Sequence, residues 1–540
     1  MFTDKENVLQ LVALLKAYEI KHIVLSPGSR NSPISHTFAT ESFFTCHSVV
    51  DERSAGFYAL GIIQAINQPV AICCTSGTAA LNYAPAVAEA FYQQLPLLII
   101  TADRPASQIG QMLGQTLPQT GLYNTLAKKA VCLPEIFTSE NKWYCNRLIN
   151  EAIQSLEHNG KGPVHINVPI SEPLFQYTAD TLPSVRKINS YRPEKKFESG
   201  YYLKRFSNYT KRMILIGQYH PAAQPERSLL KLAEEQTCII LCEHLANLHS
   251  SSFIHNFDQI LQTLSPEEKE YCAPELLITM GGHIVSKRIL HFINEYPPKE
   301  HWHISENGEI MDTFRQLTDI IECTPESFSQ TIQAQLTGKS DLASSYAVQW
   351  KKASDKINIP NANHPEIQAT KSFLDSLPEG STLHLANSSS VRNALLFPIK
   401  NNLKIFSNRG TNGIEGSLST AVGYASVNKQ LTFLLIGDLS FFYDMNGLWN
   451  RQLSSNLRIL LINNGRGEIF HKLKGLDQSN ALDGYIAAAH HTTAQGWAES
   501  LGIHYLPATN ETQLNEQIPL LSNTDMKKPV LLEYLVMQTK

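Results

Sequence analysis

Apolar runs of strand length recur along the chain: HIVLSPGSR, VAICCTSGTAA, PLLIITADRP and VHINVPI, then MILIGQ, CIILCE and LLITMGG, and finally TLHLANSSS, FLLIGDLSF and ILLINNGRG. Helix-like segments separate them. Near-continuous Val, Ile and Leu runs suit strands buried on both faces, so the alternation predicts parallel sheets covered by helices, an α/β fold used repeatedly. Many of the runs end in Gly, Ser, Asn, Asp or Arg, which places polar groups at the carboxyl ends of strands, where open parallel sheets form their ligand crevices. This polar signal clusters near the N-terminus and in the last third of the chain.

A length of 540 residues exceeds what one core usually organises, and three domains are expected. Linker-like composition around LPSVRKINSYRPEKKFESG and SDLASSYAVQWKKASDKINIPNANHP divides the chain into 1–186, 187–352 and 353–540. Hydrophobic residues make up 43% and charged residues 17%, an ordinary globular composition. The formal net charge of -4 and the lack of any Lys/Arg run argue against nucleic acid or anionic lipid as a partner. The first twenty residues carry charges inside their apolar stretch, unlike a secretory signal or a membrane span, and a cytoplasmic location is expected. Several of the nine cysteines, such as Cys73, Cys74 and Cys238, lie in strand-like runs and read as reduced core residues. Cys238, Cys242 and His244 lack the second paired set of a zinc site.

Two turns carry candidate chemistry. One strand delivers Gly437 and Asp438 to a turn, and the next ends at Asn463 and Asn464. A carboxylate, an amide oxygen and a nearby backbone carbonyl make a hard oxygen site that suits Mg²⁺ bridging a diphosphate. Gly437 and Gly465 let the backbone approach phosphate closely. Taken singly, Asp438 reads as a helix cap and the Asn pair as a turn. The other turn is SVVDERSAGFYALGII, where Glu52 stands at a strand-to-helix passage. An acid there favours the helix dipole, and partial burial among apolar neighbours would raise its pKa.

The Gly-Asp turn followed by an Asn-Asn turn resembles the diphosphate motif of thiamine diphosphate enzymes. Together, LSPGSRNSPIS, DERSAGFYALG, TSGTAALNYAPAVAEA, TADRPASQIGQMLGQTLPQTGLY and GDLSFFYDMNGL are similar to one branch of them, the synthases that join 2-oxoglutarate, after loss of carbon dioxide, to isochorismate in menaquinone biosynthesis. The resemblance runs over most of the first and last thirds and more thinly through the middle. It implies a transferase of three domains, each a mostly parallel sheet flanked by helices, with thiamine diphosphate and Mg²⁺ (or Mn²⁺) as cofactors. It also implies a dimer or tetramer in which domains of two subunits hold the two ends of one cofactor.

Residue by residue, the resemblance implies that Glu52 contacts the aminopyrimidine and promotes the tautomer that deprotonates the thiazolium carbon. Ser76, Gly77, Thr78, Gly437, Ile469 and Phe470 join the cofactor site, and Ile414 keeps the cofactor bent; otherwise Ile414 is core at a helix start. Asp438, Asn464 and the carbonyl of Arg466 are the implied metal ligands. Ser29, Arg30, Arg104, Gln115, Lys287 and Arg288 fall where the family binds isochorismate, and Ser388, Arg392 and Arg409 where it holds the oxoglutarate-derived piece. Arginine suits two dicarboxylate substrates because its planar fork grips carboxylates bidentately.

The chain departs from the family after the double Asn, where Gly465-Arg466-Gly467-Glu468 replace a run of glycines. The side chains of Arg466 and Glu468 must therefore point away from the cofactor or pair with each other. Glu415 stands where aspartate is common, and His490 and His491 read as a helix-entry pair. Two rivals share features of this pattern. A 2-oxo acid decarboxylase or acetohydroxyacid-type synthase would share Glu52 and the Gly-Asp/Asn-Asn site but has no need of the arginine-rich loops. A nucleotide-binding regulatory protein would need neither Glu52 nor Asp438.

Overall fold

The computed structural model describes residues 1–191, 197, 200–222, 225–335, 341–357, 364–400, 402–451 and 453–536. The first strands are β1 (His22–Leu25), β2 (Thr45–Ser48), β3 (Val70–Cys74), β4 (Leu97–Asp103), β5 (Lys129–Cys132) and β6 (Val164–Pro169). They form a parallel sheet in the order β2-β1-β3-β4-β6-β5. Next come β7 (Arg212–Ile216), β8 (Ile239–Cys242), β9 (Leu276–Met280), β10 (Glu300–Ile304) and β11 (Asp319–Ile321), parallel in the order β11-β10-β9-β7-β8. The last are β12 (Thr382–Leu385), β13 (Lys404–Phe406), β14 (Thr432–Gly437), β15 (Leu457–Asn463), β16 (His504–Ala508) and β17 (Val530–Leu535). Of these, β12-β14-β15-β17-β16 lie side by side and parallel. The expected class, α/β with parallel sheets between helices, is the one found, and each of the ten apolar runs carries a strand.

Two compact units contain these sheets. Residues 1–191, 382–390 and 407–540 form one, and residues 192–381 and 391–406 the other. Within the first unit the strands are buried on both faces. Val70, Ile72 and Cys74 of β3 enter one apolar cluster, and Ala71 and Cys73 enter another on the opposite face. The first of these clusters also takes in Leu434, Ile436, Leu457, Ile459 and Leu461, so β14 and β15 share a core with β3 and β4.

The helix Glu52–Ile66 runs through that shared core against the helix Ser417–Val427. Glycines permit the approach: a Cβ at Gly61 would lie 1.9 Å from the Thr420 carbonyl oxygen, and one at Gly423 would lie 2.0 Å from that of Tyr58. In the second unit β7 is likewise covered twice, with Ile214 and Ile216 on one face and Met213 and Leu215 on the other.

One linker reading needs correction. The stretch that starts at Ser340 contains a helix, Asp341–Asp355. Tyr346 and Trp350, one helical turn apart, are buried and donate to the Cys272 carbonyl at 2.9 and 3.1 Å, and that anchoring turns a polar-looking segment into core. The 358–363 part of this stretch, and 192–196 and 198–199 of the other, lie outside the described residues.

The cysteines are free thiols, and Cys73, Cys74 and Cys238 are buried, as the strand-like runs imply. Cys238 and Cys242 pack in an apolar cluster, while the His244 ring nitrogen donates to the carbonyls of Ala394 and Phe397. Among the described residues no group of three or more His, Cys, Asp or Glu side chains is placed to hold a metal ion, and no helix is long and apolar enough to cross a membrane.

Candidate active site

Strand β2 leads to Asp51, which caps the Glu52–Ile66 helix by accepting from the backbone N–H groups of Arg53 and Ser54 at 2.9 and 3.3 Å. With the cap supplied by its neighbour, Glu52 is free to face a cleft of about 410 Å³ that is also lined by Thr75, Ser76, Gly77, Thr78 and Gln115. Half-burial pushes the Glu52 carboxyl above the usual carboxylate range, and the charge of Asp51 pushes it further the same way. Gly77 has φ of +88°, and a Cβ there would meet the Gln115 backbone at 3.2 Å, so the two loops close on each other only because residue 77 is glycine.

Gln119 holds this corner from below. Its side-chain oxygen accepts from Gly77 N–H at 2.8 Å, and its amide donates to the Ala102 carbonyl and to Asn167. Nothing in the sequence distinguished this glutamine from its neighbour Gln115.

At the other turn, Asp438 opens the helix Asp438–Tyr443 directly after β14. Its carboxylate accepts from Leu439 N–H at 2.6 Å and from Gly465 N–H at 2.7 Å. The side chain is almost wholly buried, and burial pushes its carboxyl upward despite those two donors. Asn463 is turned into the protein, donating to the Thr492 carbonyl and to Glu533, and its oxygen accepts from Gly465 N–H. Asn464 accepts from Arg466 N–H at 3.0 Å.

Arg466 and Glu468 pair with each other at 2.8 Å, one of the two arrangements that the sequence allowed. Gly465 adopts φ of +75°, and a Cβ at Gly437 would meet nothing within 4 Å, so backbone is open to an incoming group there. Oxygen donors from Asp438, Asn464 and the Arg466 carbonyl fit a hard cation, and a buried carboxylate flanked by neutral amides is a place where added positive charge stabilises.

Ile414 is 37% exposed and lies before the helix that begins at Ser417, so it is not core at a helix start. Its carbonyl accepts from the Ser440 hydroxyl, which ties it to the Asp438–Tyr443 helix. Ile469 and Phe470 sit in the short 3-10 helix Glu468–Lys472, with Phe470 packed over Gly467.

The helix-entry reading of His490 and His491 is corrected. The helix there starts at Gln495, and His490 instead stands 3.4 Å from the Asp438 carboxylate, its backbone N–H bonded to the Gly465 carbonyl. The His-His-Thr-Thr run breaks the apolar spacing a helix start requires, but nothing in it pointed to Asp438.

The basic residues fall into separate places. Ser29 is exposed, whereas Arg30 is buried and donates to the Ile170 carbonyl and to Glu172 at 3.0 and 3.1 Å. Arg104 donates to the Gly114 carbonyl, beside Gln115, and to Gln108. Arg30 and Arg104 are therefore both held near the carboxyl ends of β1 and β4.

Arg409 donates to the side chain of Asn387, the residue before Ser388, at 2.8 Å, and Asn387 donates to the Asn408 and Gly413 carbonyls; Ser388 itself has a positive φ of 69°. Glu89, the lone acid of the helix Ala84–Tyr92, accepts from the backbone of Gly410 and Thr411 and fixes the segment that follows Arg409. The second unit carries Lys287 and Arg288 at the exposed start of the helix Lys287–Glu295, with Arg288 paired to Asp258. It also carries Arg392, half-buried, whose guanidinium pKa burial lowers.

A carboxyl poised by burial in one cleft and an oxygen-lined turn after a parallel strand are the parts of a thiamine pyrophosphate enzyme. Residues 8–127 match the family model described as "Thiamine pyrophosphate enzyme, N-terminal TPP binding domain", and residues 177–385 match "Middle domain of thiamine pyrophosphate". The likeness extends over the full length. A 2-succinyl-5-enolpyruvyl-6-hydroxy-3-cyclohexene-1-carboxylate synthase of Bacteroides fragilis is 49% identical over 100% of this chain and 98% of its own length. Synthases of the same name from Bacteroides thetaiotaomicron and Flavobacterium psychrophilum are 49% and 39% identical over 99% and 97% of this chain, and 96% and 94% of their own. The chain belongs to the family of 2-succinyl-5-enolpyruvyl-6-hydroxy-3-cyclohexene-1-carboxylate synthases.

Proposed function

We propose that this enzyme decarboxylates 2-oxoglutarate and adds the remaining four-carbon acyl unit to isochorismate, giving 2-succinyl-5-enolpyruvyl-6-hydroxy-3-cyclohexene-1-carboxylate and carbon dioxide for menaquinone biosynthesis. The observation that carries the reading is the half-buried carboxyl of Glu52, relieved of capping by Asp51 and facing the cleft that Ser76, Gly77, Thr78 and Gln115 line. Asp438, Asn464 and the Arg466 carbonyl would hold Mg²⁺, or Mn²⁺ in its place, with Gly437, Ile469 and Phe470 around the diphosphate and the exposed Ile414 as the apolar support. Thiamine diphosphate supplies an electron-accepting carbon for the charge left when a carboxylate departs.

The chain's own residues supply the rest. Burial disfavours the charged form of Glu52 and raises its carboxyl, the direction that proton sharing with the cofactor requires. Ser29, Arg30, Arg104, Gln115, Lys287 and Arg288 are assigned to isochorismate. Arg30 and Arg288 would exchange their present carboxylate partners, Glu172 and Asp258, for those of the substrate. Ser388, Arg392 and Arg409 are assigned to the 2-oxoglutarate carboxylates, where a half-buried guanidinium binds its counter-charge with little competition from water. A homo-oligomer, dimer or tetramer, would complete each site.

Carbon dioxide release tests the reading. Enzyme loaded with thiamine diphosphate and Mg²⁺ should release it from 2-oxoglutarate, and faster when isochorismate is present. Turnover of pyruvate that ignores isochorismate would move the chain to another thiamine-dependent reaction.

A further inference from the structure

His490 stands beside the Asp438 turn with its ring orientation already fixed. Its Nδ1 accepts from Thr492 N–H at 3.1 Å, so the neutral ring carries its proton on Nε2. Its backbone N–H donates to the Gly465 carbonyl at 2.7 Å, which ties the residue to the same positive-φ turn that Asp438 holds through Gly465 N–H. Phe442 packs edge-on against the ring, with centroids 5.4 Å apart and an interplanar angle of 88°. Three contacts from three segments therefore aim one N–H.

That N–H is buried and has no acceptor in hydrogen-bonding geometry. Oδ2 of Asp438 stands 3.4 Å away and already accepts from Gly465 N–H. A buried donor left unsatisfied is costly, and one held by so many contacts is kept for an acceptor that arrives from outside. The acceptor must be anionic, or a strong oxygen acceptor, and small enough to reach the floor of the turn beside Asp438. A Cβ at Gly437, the residue before Asp438, would meet nothing within 4 Å, so the turn has open space next to it.

We propose that His490 is a cofactor-binding residue whose Nε2–H donates to an oxygen of the diphosphate group. The proposal rests on the reading of Asp438, Asn464 and Arg466 as the metal end of the thiamine diphosphate site. His490 adds to that end a directed N–H donor, which contributes to the diphosphate and not to the metal.

Calorimetric titration of Mg²⁺-saturated apo-protein with thiamine diphosphate tests it, using wild type, H490F, H490Q and D438N. Phenylalanine keeps a ring against Phe442 and removes the donor, whereas glutamine carries an N–H to a similar reach. Both lose Nδ1, and glutamine lacks the ring as well, so tighter binding by glutamine than by phenylalanine reports the amide's hydrogen bonding and not packing against Phe442. H490F should bind about ten- to a hundredfold more weakly than wild type, the loss expected for a hydrogen bond to a charged group, and H490Q should recover most of it. Apo-protein unfolding temperatures of the two variants should agree.

Equal affinities for H490F and H490Q, or an H490F affinity matching wild type, would overturn the proposal. If D438N is impaired while H490F is not, only the role of His490 falls. If wild type itself does not take up the cofactor, the reading of the whole crevice falls with it.

Discussion

Replacing Asp438 by asparagine separates what this residue does for the fold from what it does for the cofactor. Its two oxygens accept from Leu439 N–H and Gly465 N–H. Asparagine keeps one oxygen and sets an amide N–H₂ against the other donor, an unsatisfied pair that costs about 1–3 kcal/mol. The amide is also spared the burial that raises the carboxyl's pKa, which offsets part of that cost. The apo-protein should therefore lose no more than about 2 kcal/mol of stability. Removing the one charged ligand from a buried ion pair costs about 3–5 kcal/mol, so cofactor affinity in the presence of Mg²⁺ should fall more than a hundredfold. Thermal unfolding of the apo-protein and calorimetric titration with thiamine diphosphate and Mg²⁺ read the two effects separately. Affinity within about threefold of wild type would remove Asp438 from the metal site, whatever happened to stability.

Glu52→Gln should still bind thiamine diphosphate yet exchange the thiazolium C2 proton slowly, because an amide cannot share a proton as the raised carboxyl does; exchange in deuterated water at the wild-type rate would reduce Glu52 to a helix-end acid. Arg392→Ala should slow carbon dioxide release from 2-oxoglutarate alone, by loss of a charge-assisted pair worth about 2 kcal/mol, whereas Arg104→Ala should spare that release and lower product formation with isochorismate. Equal damage to both steps from either substitution would sink the division of arginines. Asp444, wholly buried, accepts from the backbone and hydroxyl of Ser419, and burial pushes its carboxyl up to about 6. The folded state therefore holds this proton more tightly than the unfolded chain, and its contribution is full below about pH 4 and lost as pH rises through about 6, a change of about 3 kcal/mol. Asp444→Asn should flatten the dependence of unfolding temperature on pH across that window, and a slope equal to wild type would assign it to other groups.

How much of the molecule could be read from its sequence depends on how deeply each element is buried. Interior strands such as β3, β4 and β15 are covered on both faces, and their apolar runs announce them. The strands left unread include β5, β11 and β16, which lie at sheet edges where one flank needs no apolar partner and polar residues are tolerated. Strand β10, EHWHI, is interior but buries histidines bonded to Thr279, so its composition conceals its place.

The site followed the same division. Asp438 and the Asn pair were legible because each ends an apolar run, and Glu52 because it stands where a strand passes into an alanine- and glycine-rich helix. Gln119, Glu89, Asp444 and His490 were not, because each works through a partner distant in sequence, and single-sequence spacing carries no trace of such a pairing.

The central claim is that this chain joins 2-oxoglutarate to isochorismate, and mass analysis of the product tests it most directly. Purified enzyme with thiamine diphosphate, Mg²⁺ and both substrates should give a single new compound whose mass equals the two substrates less one carbon dioxide, formed in equal amount to the gas released. Carbon dioxide release without that adduct, or an adduct built from pyruvate while isochorismate is returned unchanged, would contradict it.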